Sequence, residues 1–311
     1  MEANQTIPLS KSISTLGGIR NAADAPTAPR ETNLWRDAWR RLLRNKLATL
    51  GLIIVIIFLL LAIFADLLTP YAYDHTDFSS AYQFPNARFP LGTDALGRDM
   101  LSRLIYGARI SMVVGIGSQL LVLLIGVPLG AIAGYYGGKV DLTLMRFVDV
   151  MYAFPTLLFV ILVMTALGAG LLNIFIALGL TSWVTICRLI RGQLLALREK
   201  EFVEGARAVG VPQWRILLQY LIPNALGPII VAVTFGFAGA IVAEAALSFL
   251  GVGVQPPQPS WGTMIRDNAL SWRYRPWLVA VPGFTIGLIS LGINFLGDGL
   301  NDALNPKQAE Q

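Results

Sequence analysis

A chain of 311 residues that is 55% hydrophobic and only 14% charged, with a mean hydropathy of +0.60, has more apolar surface than a water-soluble domain can cover, and reads as an all-α integral membrane protein. Its formal net charge of +5 would suit a nucleic-acid partner by sign, but the basic residues sort by side of the membrane, which excludes that reading. Cys187 is the single cysteine and His75 the single histidine, so an intrachain disulfide and a thiolate metal cluster are excluded, and no motif marks that histidine as part of a catalytic triad.

In chain order, residues 1–33 are polar, without an apolar run, and read as a flexible tail lacking the basic and apolar regions of a cleavable signal. Residues 34–46 place Trp35 and Trp39 four apart beside Arg36, Arg40, Arg41, Arg44 and Lys46, the composition of an interfacial helix. This helix and the first span fill residues 34–69.

Six apolar segments approach the roughly 20 residues that cross the hydrocarbon. They are placed at Leu47–Leu68, Ile110–Tyr135, Phe147–Leu167, Leu171–Cys187, Pro228–Leu250 and Trp277–Leu296. One side then holds the N-terminal region, the loop around Lys139, the stretch 198–223 and the C-terminus. It collects most of the 24 Lys and Arg residues, which puts both termini in the cytoplasm. Residues 70–108 form an outer loop in which His75 is a solvated side chain. Turn residues Gly92, Gly97, Gly253, Pro256, Pro257 and Pro259 predict ordered, non-helical loops across Pro90–Ser111 and Leu247–Thr263.

The second span carries Gly126, Gly130, Gly134 and Gly138 at intervals of four. Such a stripe lets another helix backbone approach closely in lipid, where no hydrophobic effect drives association. The fifth span has Ala232, Gly236, Ala240, Glu244 and Ser248 at the same interval, so its one ionisable residue points into protein or a water-filled cavity. Glu244 and Ser248 are candidates for the translocation pathway or its gate; a hydrogen-bonding role beneath the outer loop is the alternative. Asp149 and Asp66 read as interfacial.

Between the fourth and fifth spans lies the polar island Arg198–Pro223. Phe202, Val203, Ala206 and Val209 recur at helical spacing, Gly210 suits the left-handed end of a helix, and Pro212 suits the start of the next. Trp214, Leu217, Leu218 and Leu221 form a second apolar stripe ending near Pro223, with Glu204, Arg207 and Arg215 on the polar side. Periodicity alone leaves open an amphipathic linker on the lipid surface and a partner-docking element.

Glu204-Gly205-Ala206, then Gly210, then Pro223 is similar to the EAA loop of permease subunits of ATP-binding-cassette importers, with Gly205 where Ala is usual and Tyr220 where an aliphatic residue is commoner. Leu91-Gly92-Thr93-Asp94, Gly97-Arg98-Asp99, Ser102-Arg103 and Tyr106-Gly107-Ala108-Arg109 resemble the core entry of the C-type permease of dipeptide, oligopeptide and nickel importers. Glu244, Leu247-Ser248-Phe249-Leu250-Gly251, Pro259-Ser260-Trp261-Gly262, Pro282-Gly283, Asn294 and Gly297-Asp298 resemble the rest of that subunit in order, while Asn301 and Asn305 depart from it. The resemblance covers about Leu34–Pro306.

That resemblance implies a type I importer permease fold, with a core domain at 109–299, a coupling helix at about 199–211 and a C-terminal tail at 300–311. It implies that Glu204, Gly205, Ala206, Arg207, Gly210 and Pro223 meet a separate ATPase subunit. The implied partners are a homologous second permease, two ATP-binding subunits and an extracytoplasmic solute-binding protein in the inner membrane. No phosphate loop is present: Gly138-Lys139 has Ala133 and Val140 where the first Gly and the hydroxyl belong. ATP and magnesium are therefore expected in the partners, with no cofactor or metal on this chain. Short peptides are the expected cargo, nickel or another small solute the alternative. Rival readings are a self-sufficient ion-coupled transporter using Glu244 and a non-transporting scaffold.

Overall fold

The computed structural model describes residues 34–304, so the expected tail 1–33 and residues 305–311 lie outside the described residues. Every element is helical except for one isolated bridge between Thr93 and Asp99. In order they are α1 (Leu34–Arg44), α2 (Lys46–Ile63), α3 (Ala65–Leu68), a 3-10 turn Phe78–Ser80, α4 (Met100–Tyr136), α5 (Gly138–Ala153), α6 (Thr156–Leu167), α7 (Leu171–Leu197), α8 (Glu201–Ala208), α9 (Gln213–Arg215), a π-helical turn Ile216–Leu221, α10 (Ile222–Phe249), α11 (Trp261–Asn268), a 3-10 turn Ala269–Ser271 and α12 (Trp277–Leu304). Among the described residues five helices are long and apolar enough to cross a membrane, and the bent pair α5–α6 makes up to six.

The expected third span, Phe147–Leu167, is not one straight helix. α5 and α6 meet at 89°, because Pro155 cannot donate to the preceding turn and pushes Phe154 out of the helical region, to φ −80° and ψ 134°. α5 also begins nine residues before Phe147, directly after the turn at Gly137 (φ +64°). Gly138 belongs to that turn and α5, and so drops out of the expected glycine stripe.

Other expected boundaries move outward, the last span among them, since α12 runs to Leu304, beyond the expected end at Leu296 and into the expected tail 300–311. α4 starts at Met100 because Asp99 caps it, accepting from Ser102 N–H at 2.8 Å, so the second half of the expected Pro90–Ser111 loop is helical. α7 runs ten residues beyond Cys187, its polar positions being matched: Arg188 pairs with Asp149 at 2.6 Å and Arg191 pairs with Asp141. The helix expected to end near Pro223 instead continues into α10. The π-helical turn widens the backbone just before Pro223, where a proline lacks its donor and crowds the preceding carbonyl.

α4 and α7 pack along most of their lengths. A side chain at Gly126 would meet Trp183 O at 2.9 Å, and one at Gly134 would meet Arg191 O at 2.8 Å. Gly130 faces Cys187 O and Ile190 in the same way. The stripe thus joins α4 to α7 backbone to backbone. In the α10 stripe, Gly236 faces the Gln119 side chain of α4, and Ala240 is buried with Ile110, Val114 and Ala177.

Replacing Gly130 with Val should force α4 and α7 apart and lower the thermal midpoint of the purified chain, by about 1–3 kcal/mol of stability as for an overpacked core. Gly192→Ala in α7, which meets nothing within 4 Å, should instead be neutral or stabilising by up to about 1 kcal/mol.

Candidate functional site

The island between α7 and α10 is a short helix rooted on one side and bare on the other. Glu201 and Glu204 occupy the first turn of α8 and Arg207 the last, the charge order that complements the helix dipole. Val203 and Ala206, three apart, are buried in one apolar cluster with Tyr135, Ile190, Leu194, Ile216 and Leu221. α8 is therefore seated on a core contributed by α4, α7 and the π-helical turn.

The end of α8 is set by Gly210, at φ +79°. Its N–H donates to Arg207 O at 3.0 Å, and the Val211 N–H donates to Ala206 O at 3.0 Å, which is a Schellman closure. Val211 completes it by packing on the same apolar cluster as Val203 and Ala206. Pro212 then starts α9 at φ −65°, and the Arg215 N–H donates to Pro212 O at 2.9 Å.

The apolar stripe read from periodicity divides in the structure. Val203 and Ala206 face inward, while Phe202 and Val209 are exposed at 42% and 79%. With Trp214, over whose ring Arg215 lies at 5.4 Å, they form an exposed apolar set interleaved with Glu201, Glu204 and Arg207. Among the described residues none of these three charged side chains is in an ion pair. Gly205 lies on the bare side, where a methyl group would meet nothing within 4 Å. Pro223 is exposed at the start of α10.

At the opposite end of α4 and α10, Glu244 is fully buried. The Ser248 hydroxyl donates to its Oε1 at 2.7 Å and the Ser111 hydroxyl to its Oε2 at 3.3 Å. Ser248 Oγ also accepts from the Val254 N–H at 3.0 Å. These bonds tie α10 to α4 and to the loop that follows α10. Glu244 and Ser248 are legible together as an i, i+4 pair, whereas Ser111 lies 133 residues away in sequence and carries no signal of its own.

Nearby, Trp261 is fully buried and donates to Leu104 O at 3.0 Å. A side chain at Gly107 would meet its ring at 2.7 Å, so the sequence features Tyr106-Gly107 and Trp261-Gly262 are two halves of one contact. Asp94 holds the buried Arg98 at 2.6 Å and stands 3.9 Å from the buried Arg103; Asp267 approaches the same two arginines at 3.7 and 4.0 Å. In the loop before them, Ser79 and Ser80 donate to Asp77 and hold its carboxyl below the usual carboxylate range. The turn they close is accordingly kept at neutral pH and loosens as pH falls through that depressed value.

Among the described residues no group of three His, Cys, Asp or Glu side chains is placed to hold a metal ion. Asp149, read as interfacial, is paired with Arg188, whose guanidinium also lies 4.3 Å from the Tyr152 ring.

Residues 126–310, more than half of the chain, match the family model for the binding-protein-dependent transport system inner membrane component. The chain belongs to that family. Residues 33–85 of this permease also match the N-terminal transmembrane domain of oligopeptide transport permease C. The permease is 46% identical over 273 residues to the dipeptide transport system permease protein DppC of Alkalihalophilus pseudofirmus, covering 88% of this chain and 90% of that one. It is 43% identical over 288 residues to the oligopeptide transport system permease protein OppC of Bacillus subtilis, with 92% and 94% covered. Inward-facing structures of the MetNI methionine ABC transporter share its fold at a TM-score of 0.55 and 19% identity, over 66% of this chain and 98% of that one. The permease is thus a multi-pass inner-membrane component with the type I importer fold, and its family is a transport component that is not itself catalytic.

Asp94→Asn should leave Arg98 and Arg103 under-compensated in a buried site and cost about 3–5 kcal/mol, read as a large fall in the thermal midpoint. Asp66→Asn, which removes an exposed pair with Arg109, should shift it little.

Proposed function

We propose that this permease is the membrane-spanning subunit of an ATP-driven importer that translocates short peptides, di- or oligopeptides, delivered by an extracytoplasmic binding protein. The peptide reading draws support from the names of its curated relatives. The observation that carries the mechanism is the two-sided construction of α8. Its inner side joins an apolar cluster shared with α4, α7 and the turn leading into α10, while its outer side and C-cap offer Phe202 and Val209, and α9 adds Trp214, among charges that form no ion pair among the described residues. An exposed apolar and charged helix of this kind is a docking surface.

In this reading α8 is the coupling helix and faces the cytoplasm, as do both termini. Glu204, Gly205 and Arg207 form the contact with one of two ATP-binding subunits, which hold ATP and its magnesium, while the buried Ala206 seats the helix and Gly210 ends it. Pro223 begins the long helix that receives the push. A homologous second permease completes the pathway. Closure of the ATPases displaces α8; because Val203 and Ala206 are packed into the core, α4, α7 and α10 move with it, shifting the bundle between inward-open and outward-open packings. Glu244 and Ser248 belong to the gate at the far mouth, where they tie α10 to α4 and to the covering loop.

Glu204→Lys and Gly210→Val should leave membrane insertion intact while binding-protein-stimulated ATPase activity and uptake fall. The Gly210 change adds about 1–2 kcal/mol of local strain, because a side chain resists the left-handed conformation. Unchanged stimulated ATPase activity in both variants would overturn the coupling role. Gly205→Ala should stabilise α8 by up to about 1 kcal/mol and preserve transport. The ligand retained by the co-purifying binding protein decides between a peptide and a nickel complex.

A further inference from the structure

The junction between α1 and α2 carries a basic and aromatic face that is anchored at one depth. α1 ends at Arg44 and α2, a helix fit to cross the membrane, begins at Lys46. The one residue between them, Asn45, is held: its N–H donates to Leu42 O at 3.1 Å, and its Oδ1 accepts from the Leu47 and Ala48 N–H groups at 3.1 and 3.2 Å. Leu42 is buried with Ala48 and with Ala303 of α12, against Ala38 and Leu300. The inner side of α1 is thereby fastened to α2 and α12, and its other sides lie where the first span leaves the hydrocarbon.

On those sides Trp39 and Leu43 stand four apart, and Leu47 follows past the break at Asn45, each about half exposed. Arg40 and Arg44, also four apart, run beside them, and Arg41 and Lys46 are exposed as well. Among the described residues none of these four cations is in an ion pair. Two arginines at i, i+4 repel each other in an isolated helix. Such a face is favourable when negative charge lies against it.

We propose that the face formed by Trp39, Arg40, Leu43 and Arg44, with Arg41 at its edge and Lys46 just past the break at Asn45, binds anionic phospholipids. The cations take the headgroup phosphates, and Trp39, Leu43 and Leu47 enter the acyl boundary, the depth at which tryptophan and snorkelling basic side chains are stable. Because Leu42 is packed on both α2 and α12, a lipid-bound α1 clamps these two helices together. The inference rests on the membrane reading and is independent of the cargo and of α8.

The test is native mass spectrometry of the purified full chain in detergent supplied with equal phosphatidylglycerol and phosphatidylcholine. Wild-type protein should retain phosphatidylglycerol preferentially and lose that preference as salt is raised. The double substitution Arg40→Gln with Arg44→Gln should weaken retention by roughly 25-fold, taking about fivefold for each surface cation. Arg40→Lys with Arg44→Lys should keep most of it, and Arg88→Gln in the loop between α3 and α4 should keep all of it. Equal retention of the two lipids by the wild type, or retention by the glutamine variant that matches the wild type, would overturn the proposal. The salt dependence of the wild type decides the matter even if the glutamine variant fails to fold.

Discussion

The backbone contact between α4 and α7 is the constraint on which the rest of the structure depends. In lipid two helices gain nothing from hiding apolar surface, so close van der Waals approach must hold them. Gly126, Gly130 and Gly134 provide it by presenting no side chain where the Trp183, Cys187 and Arg191 carbonyls of α7 come close. The end of this joint that lies toward Gly134 is also where α8 is seated, through Tyr135, Ile190 and Leu194. A rigid joint beneath a docking helix converts a push into motion of whole helices, where a looser one would absorb it in side-chain rearrangement.

The two ends of the molecule are built on different physics. Beneath α8 the contacts are apolar and the charges point outward. At the opposite end Asp94, Arg98, Arg103, Glu244 and Ser248 are all buried, and specificity comes from directional bonds that leave little room for alternative packings. The loops there behave as part of the core, with Trp261 filling the space that Gly107 leaves. α4 and α10 run from one end to the other, so a rearrangement at either end is felt along the same two helices.

Much of this was legible in the sequence because it is local. The break at Gly210, the Pro212 start, the glycine stripe and the i, i+4 pairing of Glu244 with Ser248 all follow from spacings within one helix. What was not legible is non-local. The expected fourth span stops at Cys187, short of Arg188 and Arg191, whose partners Asp149 and Asp141 sit on another helix. The outward turn of Phe202 and Val209 likewise depends on which face of α8 the core occupies, and four apolar residues at helical spacing do not say so. The bend at Pro155 was visible as a proline but not as an angle.

That bend also orients the molecule within the bilayer. Where α5 stops and α6 starts, the turn of backbone at Phe154 and Pro155 leaves peptide groups without the partners a continuous helix would provide, and α6 has no side-chain cap to replace them. Hydrocarbon cannot solvate such groups, so this flank must be turned toward water or another polypeptide. The smooth outer face of α2, whose exposed residues are almost wholly aliphatic, can be left to the acyl chains. The flank of the α5–α6 bend is therefore the one turned away from lipid, and a single proline marks it.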